Sequence, residues 1–101
     1  MNFSPFRIIY QFNHGDTQLQ FGVAVGTRQF KKAVDRNRIK RLIKEAYRLQ
    51  KNELKDRLIA KKTGLSLFII YAGKTTPDYA FVYEKIGKIL QKLESELNAF
   101  A

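Results

Sequence analysis

A chain of 101 residues fits one domain with a small core, and 45% hydrophobic residues, including eight Phe and five Tyr, make it too apolar for a disordered tail. Nineteen Lys and Arg against nine Asp and Glu leave a net charge of +10, which points to polyanionic partners, nucleic acid before anionic membrane. The absence of cysteine excludes disulfides and thiolate metal sites and suits a cytoplasmic protein; no signal peptide follows Met1, and no apolar run approaches the roughly 18 residues of a membrane span.

In chain order, residues 6–12 predict a strand with Phe6, Ile8, Tyr10 and Phe12 on one face. The turn residues of 13–16 then predict a hairpin, with 19–27 as the partner strand. In that second strand Phe21, Val23 and Val25 share a face, while Gln20, Gly22, Ala24 and Gly26 leave the other nearly bare. Small residues in a strand mark close approach of another backbone or a ligand, or simply tight packing. From about Ala33 the period changes to that of a helix, with Ile39, Leu42, Ile43, Ala46, Tyr47 and Leu49 as its apolar stripe. Leu54, Leu58 and Ile59 continue that helix or form a second short one before Gly64. Residues 65–71 read as a buried strand, 73–78 as a loop containing Pro77, and 79–100 as a last helix with Val82, Ile86, Ile89, Leu90, Leu93 and Leu97 turned inward. The order β-β-α-β-α predicts an α+β two-layer sandwich, one domain over 1–101, with helices on one sheet face.

The charge is concentrated. Between Arg28 and Lys51 stand ten basic residues and two acids, Asp35 and Glu45, so +8 of the +10 lies in one segment. Residues 1–27 carry only Arg7 and Asp16. On the predicted helix, Arg36, Lys40 and Lys44 stack four apart, and Arg38, Arg41 and Arg48 form a second row. Like charges at this spacing repel by a few tenths of a kcal/mol per pair. A helix needing only solubility would interleave acids; phosphates against the ridge would offset the repulsion, with Arg gripping them bidentately. The helix N-terminus would add N–H groups and a positive dipole end beside Arg36 and Asn37. Asn37 reads either as a local cap or as an amide free to bond a base edge, a ribose or the backbone.

Catalysis has no visible machinery of its own. The chain has one histidine, His14, in a polar turn, and Asp16, Asp35, Asp56 and Asp78 are scattered. No acid–base pair, metal-ligand set or activated nucleophile is expected. The residues by themselves leave open an RNA-binding protein of a ribonucleoprotein such as the ribosome, a DNA-binding basic helix, and a membrane-surface helix. The last is disfavoured because the apolar stripe is needed as core.

The run from Lys32 to Arg48 closely resembles the protein component of bacterial ribonuclease P. The resemblance rests on Gly22-Val-Ala-Val25, Arg36-Asn37-Arg38, Lys40-Arg41-Leu42-Ile43, Tyr47, the 67–71 strand and Asp78-Tyr79, and it covers essentially the whole chain. It implies a ribosomal S5 domain 2-like sandwich, in the order α-β-β-β-α-β-α, with a left-handed βαβ crossover, against the usual hand. It implies a ribonucleoprotein that removes the 5′ leader of precursor tRNA, with hydrolysis by the RNA subunit and Mg²⁺, no cofactor in the protein, and no obligate protein partner. By the same resemblance the RNA contacts are Arg28, Lys31, Lys32, Arg36, Asn37, Arg38, Lys40, Arg41, Lys44 and Arg48, and the leader cleft is Gly22, Ala24 and Gly26 flanked by Arg7 and Ile9. The family begins with a helix and a basic, aromatic-bearing segment, so a shortened N-terminus and a cleft lacking one wall are expected. The 26–32 loop is about one residue longer than the family's, with Phe30 at a position usually smaller.

Overall fold

The computed structural model describes residues 2–100; Met1 and Ala101, the ends of the expected 1–101 domain, lie outside the described residues. The elements are β1 (Asn2–Phe3), β2 (Phe6–His14), β3 (Leu19–Val25), α1 (Ala33–Gln50), α2 (Asn52–Ala60), β4 (Thr63–Tyr71) and α3 (Tyr79–Ala99). The α+β expectation stands, with a short added strand at the start and the second helix separate from the first.

The expected hairpin does not form. The sheet order is β1-β2-β4-β3, with β2 antiparallel and β3 parallel to β4. The turn chemistry at 13–16 is real: Gly15 adopts φ +83° and the Asp16 carboxylate accepts from the Gln18 N–H. The segment nevertheless bonds to the start of β4, through Gly15 N–H to the Lys62 carbonyl and Leu65 N–H to the Gln18 carbonyl. Strand composition explains the insertion. β4 is apolar on both sides of its pleat, with Leu65, Leu67, Ile69 and Tyr71 inward and Phe68 and Ile70 on the other face, so the centre of the sheet suits it. β3, with Gly22 and Ala24, has less to lose at an edge. Neighbouring strands lie ~4.8 Å apart, so a four-residue link can step over one strand.

Helices cover one face. Phe6, Ile8, Leu65, Leu67, Ile69, Tyr71 and Val25 meet Ile39, Ile43, Ala46 and Tyr47 of α1, Leu54 and Leu58 of α2, and the full expected stripe of α3 in one core. The edge strand β3 is clamped by a parallel stack of the Phe21 and Tyr47 rings, centroids 3.7 Å apart. Leu49 and Ile59, expected in the stripes, are instead exposed: Leu49 falls roughly 100° round α1 from the face that buries Ile43, Ala46 and Tyr47, and α2 buries Leu54 and Leu58 but not Ile59. One further correction concerns a strand face. β4 is buried on one face only, and Phe68 and Ile9 of the other face stay 39% and 60% exposed.

Glycines mark two close approaches on β3 and β4. At Gly64 a Cβ would collide with the Asp16 backbone carbonyl, where the 15–18 link crosses the strand. At Gly22 it would meet the Phe68 ring at 2.7 Å, but that ring is half exposed and free to turn. Gly64→Ala should therefore lower unfolding stability by about 1–3 kcal/mol through forced backbone movement, whereas Gly22→Ala stays within about 1 kcal/mol of the parent. Urea denaturation of the two variants checks the contrast; equal losses would refute it.

Candidate nucleic-acid interface

Two surfaces follow from this architecture: the outer face of α1 and the uncovered face of the sheet.

α1 begins at Ala33, with Lys32 as N-cap and no side-chain capping bond. Asn37 therefore sits in the second turn, so it is neither the expected cap nor beside the helix entry. The first-turn N–H groups of Asp35 and Arg36 turn back to the Lys32 carbonyl. With Ile39, Ile43, Ala46 and Tyr47 buried, the 3.6-residue period brings Asn37, Arg41, Lys44 and Arg48 into one outward stripe. Together with Lys40 and Glu45 they line a shallow groove of about 410 Å³. The two rows expected from four-residue spacing are thus redistributed. Lys40, Arg41, Lys44 and Arg48 converge with Asn37, Arg38 stands apart from the groove though exposed, and Arg36 is diverted.

Arg36 is half-buried and donates through Nη1 to the Phe30 and Lys31 carbonyls, at 2.8 and 2.9 Å. It staples the 26–32 loop to the helix. Phe30 is the loop's other anchor, buried with its ring 6.1 Å from that of Tyr71, and its N–H donates to the Gly26 carbonyl. The large residue at position 30 fills core space, which is why the loop holds its shape. Arg28, Lys31 and Lys32 project from this loop into solvent.

Within the groove, Glu45 accepts two bonds from Arg48, at 2.5 Å from Nη2 and 3.1 Å from Nε. The Arg48 hydrogen bond holds the Glu45 carboxyl below its ordinary range, and Glu45 raises Arg48 in return. Burial pushes the Tyr47 hydroxyl up to about 12, so this ring is a neutral packing group at ordinary pH.

On the uncovered sheet face, register places Arg7 beside Ile70 beside Ala24, Ile9 beside Phe68 beside Gly22, and Gln11 beside Ser66 beside Gln20. Four of the five expected cleft residues (Arg7, Ile9, Gly22 and Ala24) therefore share this face, and Gly26 lies just past the end of β3. The face encloses an open depression of about 410 Å³ around Ile9, Gly22, Phe68 and the Gln11–Ser66–Gln20 row, with Ser66 Oγ donating to Gln20 Oε1 at 3.2 Å. Arg7, Ala24 and Gly26 do not line it. Gly22 is not bare floor, since the Phe68 ring lies over it. Phe68, Gln11 and Ser66 were not singled out from sequence; the alternation of Ser66, Phe68 and Ile70 against Leu65, Leu67 and Ile69 was the available signal. His14 is exposed, its ring stacked 4.5 Å from that of Phe100. Among the described residues no three His, Cys, Asp or Glu side chains gather as a metal-ligand group, and no helix is long and apolar enough to cross a membrane.

A family model described as Ribonuclease P matches residues 1–94. A ribonuclease P protein component from Porphyromonas gingivalis is 30% identical over 99 residues, covering 96% of this chain and 72% of the relative. One from Vibrio cholerae is 36% identical over 76 residues, 73% of this chain and 57% of the relative. A third, from Methylococcus capsulatus, is 51% identical over 35 residues, 35% of this chain and 27% of the relative. No solved structure matches the chain at a significant level.

The split between stapling and outward arginines has a measurable consequence. Arg36→Ala should destabilise the fold by about 1.5–3 kcal/mol, the range for hydrogen bonds involving a charged group. Arg41→Ala should stay within about 0.5 kcal/mol of the parent. Chemical denaturation monitored by circular dichroism compares them; a neutral Arg36→Ala would show that the staple does not hold the loop.

Proposed function

The chain belongs to the ribonuclease P protein family, and from that membership we propose how its two surfaces serve as the protein component of this ribonucleoprotein. The α1 groove takes phosphates of the ribonuclease P RNA subunit, and the uncovered sheet face takes the single-stranded 5′ leader of precursor tRNA. The carrying observation is the convergence of Asn37, Lys40, Arg41, Lys44 and Arg48 on the outer side of a helix whose inner side is locked into the core. Four cations at one groove suit a polyphosphate chain better than a single small anion. Arg28, Lys31, Lys32 and Arg38 extend the basic surface toward the loop and the helix flank. Arg36 contributes by holding that loop in place.

The sheet face has the character of a single-strand site. Phe68 offers a partly exposed ring for base stacking, Ile9 offers apolar area, and Gln11, Ser66 and Gln20 offer hydrogen-bonding groups at base height. Arg7 and Ala24, one register row away, and Gly26 beyond the strand end would border the leader's path rather than floor it.

In this proposal hydrolysis belongs to the RNA subunit and its Mg²⁺. Three acids serve local structure: Asp16 fixes the 15–18 link, Asp78 caps α3 by accepting from the Phe81 N–H at 2.8 Å, and Glu45 holds Arg48. Among the described residues these acids gather into no ligand set for the ion. The chain is read as a single domain, its β3–α1–α2–β4 crossover as having the family's left hand, and its compartment as the cytoplasm.

Reconstitution with the RNA subunit tests the assignment. Arg41→Gln with Lys44→Gln should weaken assembly and reduce the log–log salt slope by about 1.4–1.8, from two lost phosphate contacts. Lys88→Gln with Lys92→Gln removes the same charge from α3, where each lysine is paired with Glu84 or Glu96. That control should leave the slope nearly unchanged. Equal effects would mean that net charge, not placement on α1, governs assembly.

A further inference from the structure

A second groove of about 400 Å³ runs along the free edge of β3, opposite the strand's bond to β4. Its walls include Thr17 and Gln20 from the strand side, Tyr47 and Lys51 from the end of α1, and Lys55 and Ile59 from α2. Three observations single it out. First, no acid lines it. Among the described residues the ion pairs join Arg48 to Glu45, Arg57 to Glu53 and Glu94, Lys88 to Glu84 and Lys92 to Glu96, which leaves Lys51 and Lys55 without an acidic partner. Two neighbouring cations are occupied: Arg57 bridges to α3, and Lys61 Nζ donates to the Leu97 and Asn98 carbonyls that close α3. Second, the lysines stand four apart, one helical turn, and Lys51 Nζ is held 5.8 Å from the centroid of the Tyr47 ring, itself stacked on Phe21. Third, Gln20 lines both this groove and the depression on the uncovered sheet face, so the two join around the β3 edge.

We propose that this edge groove is a second phosphodiester site, in which Lys51 and Lys55 take the backbone of a single-stranded RNA that continues from the sheet face past Gln20. The inference rests on the sheet face being the single-strand site and extends it by naming where the strand goes next. Bases stack on Phe68 and bond to the Gln11–Ser66–Gln20 row on one side of the edge. On the other side there is no second exposed ring in register, but there are two free ammonium groups, so recognition there is of backbone and independent of sequence. The groove differs from the α1 groove in approach: it is reached around β3, whereas the α1 groove lies on the helix's solvent side.

The test is fluorescence anisotropy of the whole chain with two single-stranded RNAs, a tetranucleotide long enough for the sheet face and a dodecanucleotide long enough to round the edge. Three variants are compared with the parent: Lys51→Gln with Lys55→Gln, Lys88→Gln with Lys92→Gln, and Phe68→Ala. Glutamine keeps helix propensity close to that of lysine, and circular dichroism confirms the fold. The Lys51/Lys55 variant should lose several-fold affinity for the long RNA, with its log–log salt slope reduced by about 1.4, and should bind the short RNA as the parent does. If it loses no more than the Lys88/Lys92 control on the long RNA, the edge groove is not a phosphodiester site, whatever Phe68→Ala does. Equal losses on the short and long RNAs would also overturn the proposal, because the lysines would then belong to the sheet-face site. Phe68→Ala reports separately on the sheet face: if it leaves short-RNA binding intact, that reading falls and takes with it the continuity on which the edge path was drawn.

Discussion

The parallel stack of Tyr47 on Phe21 fixes how α1 lies on the sheet, and the placement of both candidate surfaces follows from it. β3 is an edge strand, bonded to β4 alone, and its Gly22 and Ala24 give it little side-chain area of its own. A ring of α1 lying flat on a ring of β3 at an interplanar angle of 3° holds the strand from the helix side. It also sets the helix's rotation about its axis. With Tyr47 on the strand and Ile39, Ile43 and Ala46 in the core, an α-helix leaves its Asn37–Arg41–Lys44–Arg48 stripe outward. Neutrality of the Tyr47 phenol, secured by burial, keeps this contact free of charge across the ordinary pH range.

The second constraint is the central position of β4. A strand with apolar residues on both sides of its pleat must face the helices with one set and have something beside the other. Here the other set is flanked by Gly22 and Gln20 on one side and by Ile9 and Gln11 on the other, which leaves only one large aliphatic side chain beside it. The result is a shallow trough with an aromatic ring at its centre, rather than a second packed layer. The same residues that stabilise the middle of the sheet therefore create its uncovered surface.

Local patterns were legible in the sequence, and pairings were not. The stripe of α3 was readable residue by residue because a long amphipathic helix records its own orientation: Val82, Ile86, Ile89, Leu90, Leu93 and Leu97 are all buried. The basic character of α1 was equally plain from charge density. The neighbour of β2 was hidden, because Asn-His-Gly-Asp signals a reversal of direction and says nothing about whether the returning strand lies next door or one place further on. That choice is made by β4, about fifty residues later. Leu49 and Ile59 misled for a related reason: periodicity counts an apolar residue near the stripe as core, but both lie on the flank of the face their helix buries. Arg36 was indistinguishable by composition from Arg41, and only the position of the Phe30 and Lys31 carbonyls separates them. The Lys32-to-Arg48 run announced the family through its order of residues, which composition and periodicity alone do not encode.

The formal charge of +10 consequently overstates what is available for binding. Arg36, Arg57 and Lys61 are committed to carbonyls or carboxylates that hold a loop, a helix pair and a helix end. Arg48 is a different case. Its partner Glu45 is the one acid in the α1 groove, and a carboxylate beside a phosphate track would ordinarily repel the ligand. Because the pair is exposed, it adds little to stability. Its geometry matters more: Glu45 takes Nε and one N–H of Nη2, leaving the Nη1 group and the second Nη2 N–H directed elsewhere. A long side chain that would otherwise sample many rotamers is held with part of its fork free. The ordering cost of gripping an anion is then partly met before binding, which offsets the unfavourable charge of the carboxylate. Lys40 and Lys44 in the same groove make no such bond among the described residues and remain flexible point charges. In the proposed role, the groove thus sets one oriented guanidinium beside cations free to follow the irregular path of a folded RNA backbone.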